Sequence, residues 1–138
     1  MSDGTAELRE FLRELPPNSR ELFWELFRRK LVGAVVLRQE LSSYITLVKA
    51  TAAAGGVVNK KVARDLARNL AALLKELHSD LSEFDQRLIH AAVHYFVEDD
   101  DGEADFDSED GYDDDVEIFN AVAERLGRED LQMDLLWG

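Results

Sequence analysis

KKVARDLARNLAALLKELH, residues 60–78, is the stretch that decides the fold class. Val62, Leu66, Leu70, Leu73, Leu74 and Leu77 recur at intervals of three and four, which lines them along one face of a 3.6-residue helix. Asn59 is the expected N-cap, and Gly55-Gly56 just before it is the clearest helix stop in the chain. Lys60, Lys61, Arg64 and Arg68 crowd the start of this helix, the unfavourable end of the dipole for cations. That placement predicts a neighbouring acid, and the acidic segment described below is the candidate.

Toward the N-terminus the same period continues. Residues 18–54 read as helical, with Leu22, Phe23, Leu26, Phe27, Leu31, Val35, Leu41, Tyr44, Ile45 and Val48 on the apolar face. Asn18 and Glu21 have the spacing of a capping box, and Gly33 marks a kink or a break into two helices. Pro16-Pro17 separates this region from a short amphipathic helix over 5–15, built on Leu8, Phe11, Leu12 and Leu15. Toward the C-terminus, Ser79 to Ser82 forms a turn and Ser82 caps a helix over 83–97. A further helix runs over 114–126 and ends at Gly127. Arg128 to Trp137 is expected to dock through Leu131, Leu135, Leu136 and Trp137. No run alternates as a strand would. The expected fold is all-α: one domain over 1–138, a small bundle of five to six helices, with an acidic loop insert at about 98–113 between the last two main helices.

The 138 residues are 46% hydrophobic, enough for one core. Cysteine is absent, which excludes disulfides, thiolate metal sites and cysteine nucleophiles. The longest apolar run, Leu31 to Leu37, is 7 residues, against ~20 for a bilayer span. Met1-Ser2-Asp3-Gly4 is polar and acidic rather than the start of a signal peptide, so a cytoplasmic location is expected. A net charge of −13 argues against direct nucleic-acid binding, which needs clustered Lys and Arg.

That charge is local. Residues 98–117 hold 13 of the 29 acids and no Lys or Arg, and the 16 acids left elsewhere equal the 16 bases. Carboxylates at this density repel one another unless a cation or a basic partner neutralises them. The EF-hand spacing fails: placing Gly102 at its sixth position puts Val97 first, and placing Gly111 there puts Phe106 first. An irregular calcium or magnesium site remains open, with Asp105, Asp107, Asp113, Asp114 and Asp115 as ligands and Glu109 beside them. A solvated loop and a docking surface for a basic protein are the other two readings. Phe106 and Tyr112 are expected to fold back on the core, Gly111 to permit a tight turn, and Asp113 or Asp114 to cap the last helix.

His90 and His94 are four apart, and Glu98 continues their stripe, a set able to hold zinc, iron or manganese. At 100° per residue both histidines fall with Glu83 and Arg87, opposite Phe84, Leu88 and Ala92, which predicts two exposed surface histidines. His78 reads as a helix-end residue rather than a ligand. There is no Gly-rich phosphate loop, no GxSxG and no HExxH, so no catalytic constellation is found. Trp24 and Trp137 read as core or interface anchors. Leu31 to Leu37 with Tyr44, Ile45 and Val48 is expected to be buried centrally or to form a seam between copies of the chain.

The stretch AAVHYFVEDDDGEADFDSEDGYDDDVEIFNAV, residues 91–122, resembles the YkvA-like family of small helical domains of unknown function. That family has a helix, an Asp-rich loop and a Gly-aromatic-x-Asp-Asp turn into another helix. Gly111, Tyr112, Asp114 and Asp115 match the turn, and Asp105-Phe106 stands where the family has an Asp and an apolar residue. The segment departs in having no proline and many more acids. The resemblance implies an Asp-lined turn between two helices and no known activity. The expectation from the whole chain is a non-enzymatic interaction module whose acidic segment meets a basic partner or a cation, ahead of a calcium or magnesium binding module and of a metal-dependent enzyme using His90 and His94.

Overall fold

A computed structural model describes residues 5–55, 60–77, 81–97 and 113–133. Within them the chain is all-α. The helices are α1 (Thr5–Leu12), α2 (Arg20–Arg28), α3 (Ala34–Ala53), α4 (Lys60–Leu74), α5 (Glu83–Val97) and α6 (Asp113–Arg125), with 3-10 turns at Pro17–Ser19 and Glu129–Leu131. No strand occurs among the described residues.

Most boundaries have a local cause. Gly55 takes φ +90 just after α3, a conformation that an L side chain resists. The Ser82 hydroxyl accepts the Asp85 amide at 3.1 Å and starts α5. At the end of α6, Gly127 has φ +74, while the Gly127 amide donates to Glu124 O and the Arg128 amide to Ala123 O. That pair of bonds is a Schellman closure. Gly33 is a full break: α2 stops at Arg28, and α3 begins only after Gly33, whose ψ of 161 is extended.

The capping box at Asn18 and Glu21 does not form. Pro17 instead opens a 3-10 turn, and Ser19 becomes the residue before α2 with no side-chain cap bond. The buried Ser19 hydroxyl meets the Tyr95 hydroxyl at 2.8 Å, a tie from the start of α2 to α5. Arg20 ties down the turn that follows α1 by donating to Leu15 O and Arg13 O. The basic start of α4 is answered within the helix, where Asp65 pairs with Lys61 at 2.9 Å and with Arg68 at 2.8 Å. Asn59, His78 and Trp137 lie outside the described residues.

α5 is the centre of the bundle and packs against α2, α3, α4 and α6. Leu88, Ile89, Ala91, Ala92, Val93 and Phe96 are all buried, and in the second half of this helix only Tyr95 and Val97 are partly exposed. Phe23, Phe96 and Phe119 are the largest fully enclosed side chains. Phe96 packs edge-on against Tyr44 at 4.8 Å between ring centres. Trp24 is half-buried against this core. The apolar stretch of α3 divides. Leu37, Tyr44 and Val48 are buried as expected, but Val32, Val35 and Val36 are exposed (Val35 at 65%) and Leu47 joins them, so central burial of the whole Leu31–Leu37 run is wrong. Helix period explains Val35, Val36 and Leu47, since α3 covers the core with one face and carries them on another, while Val32 lies in the extended link before it.

Ion pairs tie the periphery. Arg125 of α6 reaches Glu7 of α1 at 2.8 Å and Asp85 of α5 at 3.3 Å, and lies 4.8 Å over the Phe84 ring. Arg128 pairs with Glu76 and Asp130. Leu131 packs on the core, and Asn120 exchanges hydrogen bonds with Met133 on both sides of its amide. No helix among the described residues is long and apolar enough to cross a membrane.

Candidate functional site

Ser19, His90, His94 and Asp115 are the buried polar side chains among the described residues, and the two histidines share α5. His90 is 1% exposed and His94 7% exposed, which overturns the expectation of two surface histidines. The cause is the central place of α5. The face opposite Leu88 and Ala92 meets the α2–α3 corner and α3 rather than water. Their rings sit 4.3 Å apart between centres, as i and i+4 side chains on one face do.

Burial holds both imidazoles neutral. Desolvation pushes His90 down to about 4, helped by the positive charge of His94 when protonated and by Arg87 and Arg29. His94 is lowered by burial and then by Arg29. Glu40 of α3 lies beside it, with Oε1 3.8 Å from His94 Nδ1, too long for a direct hydrogen bond. Burial raises the Glu40 carboxyl against the pull of Arg29. Desolvation therefore outweighs mutual attraction in this pair: the carboxylate should raise the imidazole, yet the net shift of His94 is downward.

Both ring nitrogens of His90 are buried and make no hydrogen bond to a described residue. The ring lines a cavity of about 200 Å³, with Leu31, Val32, Gly33, Ala34, Leu77 and Gln86 around it. One wall is thus the N-terminal end of α3. Gly33 stands at the cap position without a side-chain cap, and the first bond of the helix is Leu37 N–H to Gly33 O at 3.2 Å. The amides of Ala34, Val35 and Val36 consequently have no acceptor inside the helix.

The acidic candidates fare differently. Glu98, Asp105, Asp107 and Glu109 lie outside the described residues, as do Phe106, Gly111 and Tyr112. Asp113 opens α6, Asp114 is half-buried, and Asp115 is buried at 5% exposure. All three stand in the first turn, where the helix dipole favours negative charge. Among the described residues no three His, Asp or Glu side chains come together in a group able to hold a metal ion. The carboxylate facing His94 is Glu40, which sequence reasoning missed. Its only sequence signal is its place between Leu37 and Leu41 at the edge of the buried stripe of α3. No family model, curated protein or solved structure matches the chain.

Proposed function

We propose that this chain is a non-enzymatic helical interaction module that uses the acidic segment 98–117 to meet a basic partner. One observation carries the reading: all of the net charge of −13 resides in those residues, while the rest of the chain is balanced. A field so concentrated steers and selects a partner of opposite charge. The start of α6 supports it, because Asp113 to Asp115 belong to a helix packed on α4 and α5, which gives the segment a firm end. The resemblance of Gly111-Tyr112-x-Asp114-Asp115 to the YkvA-like turn belongs to the same proposal. A divalent ion, calcium or magnesium, is the rival occupant of these carboxylates.

The test is fluorescence anisotropy with a labelled lysine-rich peptide. The reading expects saturable binding that weakens at least tenfold as salt shortens the screening length from about 10 Å to about 3 Å. Replacing the acids of 98–112 by Asn and Gln should abolish binding with the helical circular dichroism unchanged. Equal binding by the neutral variant would overturn the reading.

A further inference from the structure

We propose, resting on the reading of the acidic segment as a partner-binding surface, that the groove between α3 and α4 takes that segment from a second copy of the chain.

The groove has a volume of about 340 Å³, and every charged side chain that lines it is a cation: Arg38 and Lys49 from α3, Arg64 and Arg68 from α4. All four are exposed. Asp65 of α4 pairs with Lys61 and Arg68, whereas Arg38, Lys49 and Arg64 make no ion pair to a described residue. Between these cations lies an apolar floor, with Leu41 and Ala67 buried and Ile45 and Ala71 half-buried. An occupant that matches both parts sets acids on either side of an apolar side chain, so that the charges meet the rims and the apolar group covers the floor. Residues 101–112, DGEADFDSEDGY, have that composition: Phe106 stands between Asp105 and Asp107, and Tyr112 follows Glu109 and Asp110. The net charge of −13 does not forbid the approach. Outside 98–117 the charge is balanced, and screening over about 8 Å leaves the local sign of the groove to decide.

The place where the segment leaves the bundle favours a second copy over the same chain. Val97, the residue before it, lines a groove with Val36, Glu40, Ser43 and Leu47 of α3. The basic groove uses Arg38, Ser42, Ile45 and Lys49, each two positions further on, which is about 200° around the helix. The chain's own segment would have to round α3 and return to Asp113 at the start of α6, a detour that a neighbour's segment avoids. Reciprocal exchange between two copies fills both grooves and closes the assembly as a two-fold dimer.

Sedimentation velocity of the full chain at physiological ionic strength is the test. A dimer is expected, at least tenfold weaker at about 1 M salt. The exposed pair Arg38→Glu and Lys49→Glu, and separately replacement of the acids of 98–112 by Asn and Gln, should each give a monomer. An equimolar mixture of these two variants should restore a weaker dimer, because it keeps one intact groove facing one intact segment. A parent chain monomeric at about 1 mM, or a dimer that persists unchanged in either variant, would overturn the proposal. If the monomeric parent still binds the lysine-rich peptide, the reading of the acidic segment stands and only the second copy falls. A labelled peptide of residues 101–112 that binds the neutral-segment variant while the parent stays monomeric would give the groove to the chain's own segment, and so overturn the proposal too.

Discussion

His90 carries a cost that its burial on α5 imposes. Its folded value of about 4 lies below the ordinary 6.5, so between those values the unfolded chain binds a proton that the folded chain refuses. Stability from this group is therefore complete above about pH 6.5 and is lost as pH falls toward 4, by on the order of 3 kcal/mol. His94 has the same sign, while Glu40, raised by burial, works in the opposite sense. His90→Leu should flatten the loss of urea stability between pH 7 and pH 4 relative to the parent. An identical pH profile in the variant would contradict the burial argument. The position of His90 was partly legible. Leu88 to Val97 contains no Lys, Arg, Asp or Glu, which is the mark of an enclosed helix end. The wheel misled because Glu83, Gln86 and Arg87 make the first turn amphipathic, and that polar side does not continue past it.

Among the elements, the corner between α2 and α3 depends on a neighbour. Arg87 of α5 donates to Phe27 O at 3.1 Å and to Arg29 O at 2.8 Å, so it satisfies carbonyls that the end of α2 leaves open. Arg87→Met should cost about 1–3 kcal/mol in urea unfolding. Glu83→Gln removes only the exposed partner of the same arginine and should cost less than about 1 kcal/mol. Equal costs would show that the carbonyl contacts contribute nothing. The Ser19–Tyr95 hydroxyl pair makes a second test, with about 1 kcal/mol of coupling expected in a double-mutant cycle of Ser19→Ala and Tyr95→Phe. Additive single effects would rule out that bond. Helix limits were legible where one residue decides them: Ser82, Gly55 and Gly127 act through their own backbone or side chain. Asn18 failed as a cap because Pro17 opens a 3-10 turn and the hydroxyl at Ser19 answers to a tyrosine 76 residues away. No local pattern contains that partner.

For the whole molecule, the all-α class followed from periodicity, but which helix sits innermost did not. α5 is central because it alone packs against α2, α3, α4 and α6 together, a property of assembly rather than of its own pattern. Phe96, enclosed there at 1% exposure, should cost about 3–5 kcal/mol on Phe96→Ala by thermal unfolding, and a loss under 1 kcal/mol would refute its central burial. The candidate site divided in the same way. Residues of one helix, His90 and His94, could be paired by spacing, whereas Glu40 and the start of α3 reach them only through tertiary packing. The charge pattern, by contrast, is a property of the sequence alone, and the proposed function rests on it: that the carboxylates of 98–117 would meet a basic partner rather than a single bound ion. Calorimetric titration of the full chain at physiological ionic strength, with a lysine-rich peptide and with Ca²⁺ in parallel, tests that claim most directly. The account predicts saturable peptide binding that weakens with added salt and no stoichiometric Ca²⁺ isotherm. One-to-one Ca²⁺ binding with no response to the peptide would contradict it.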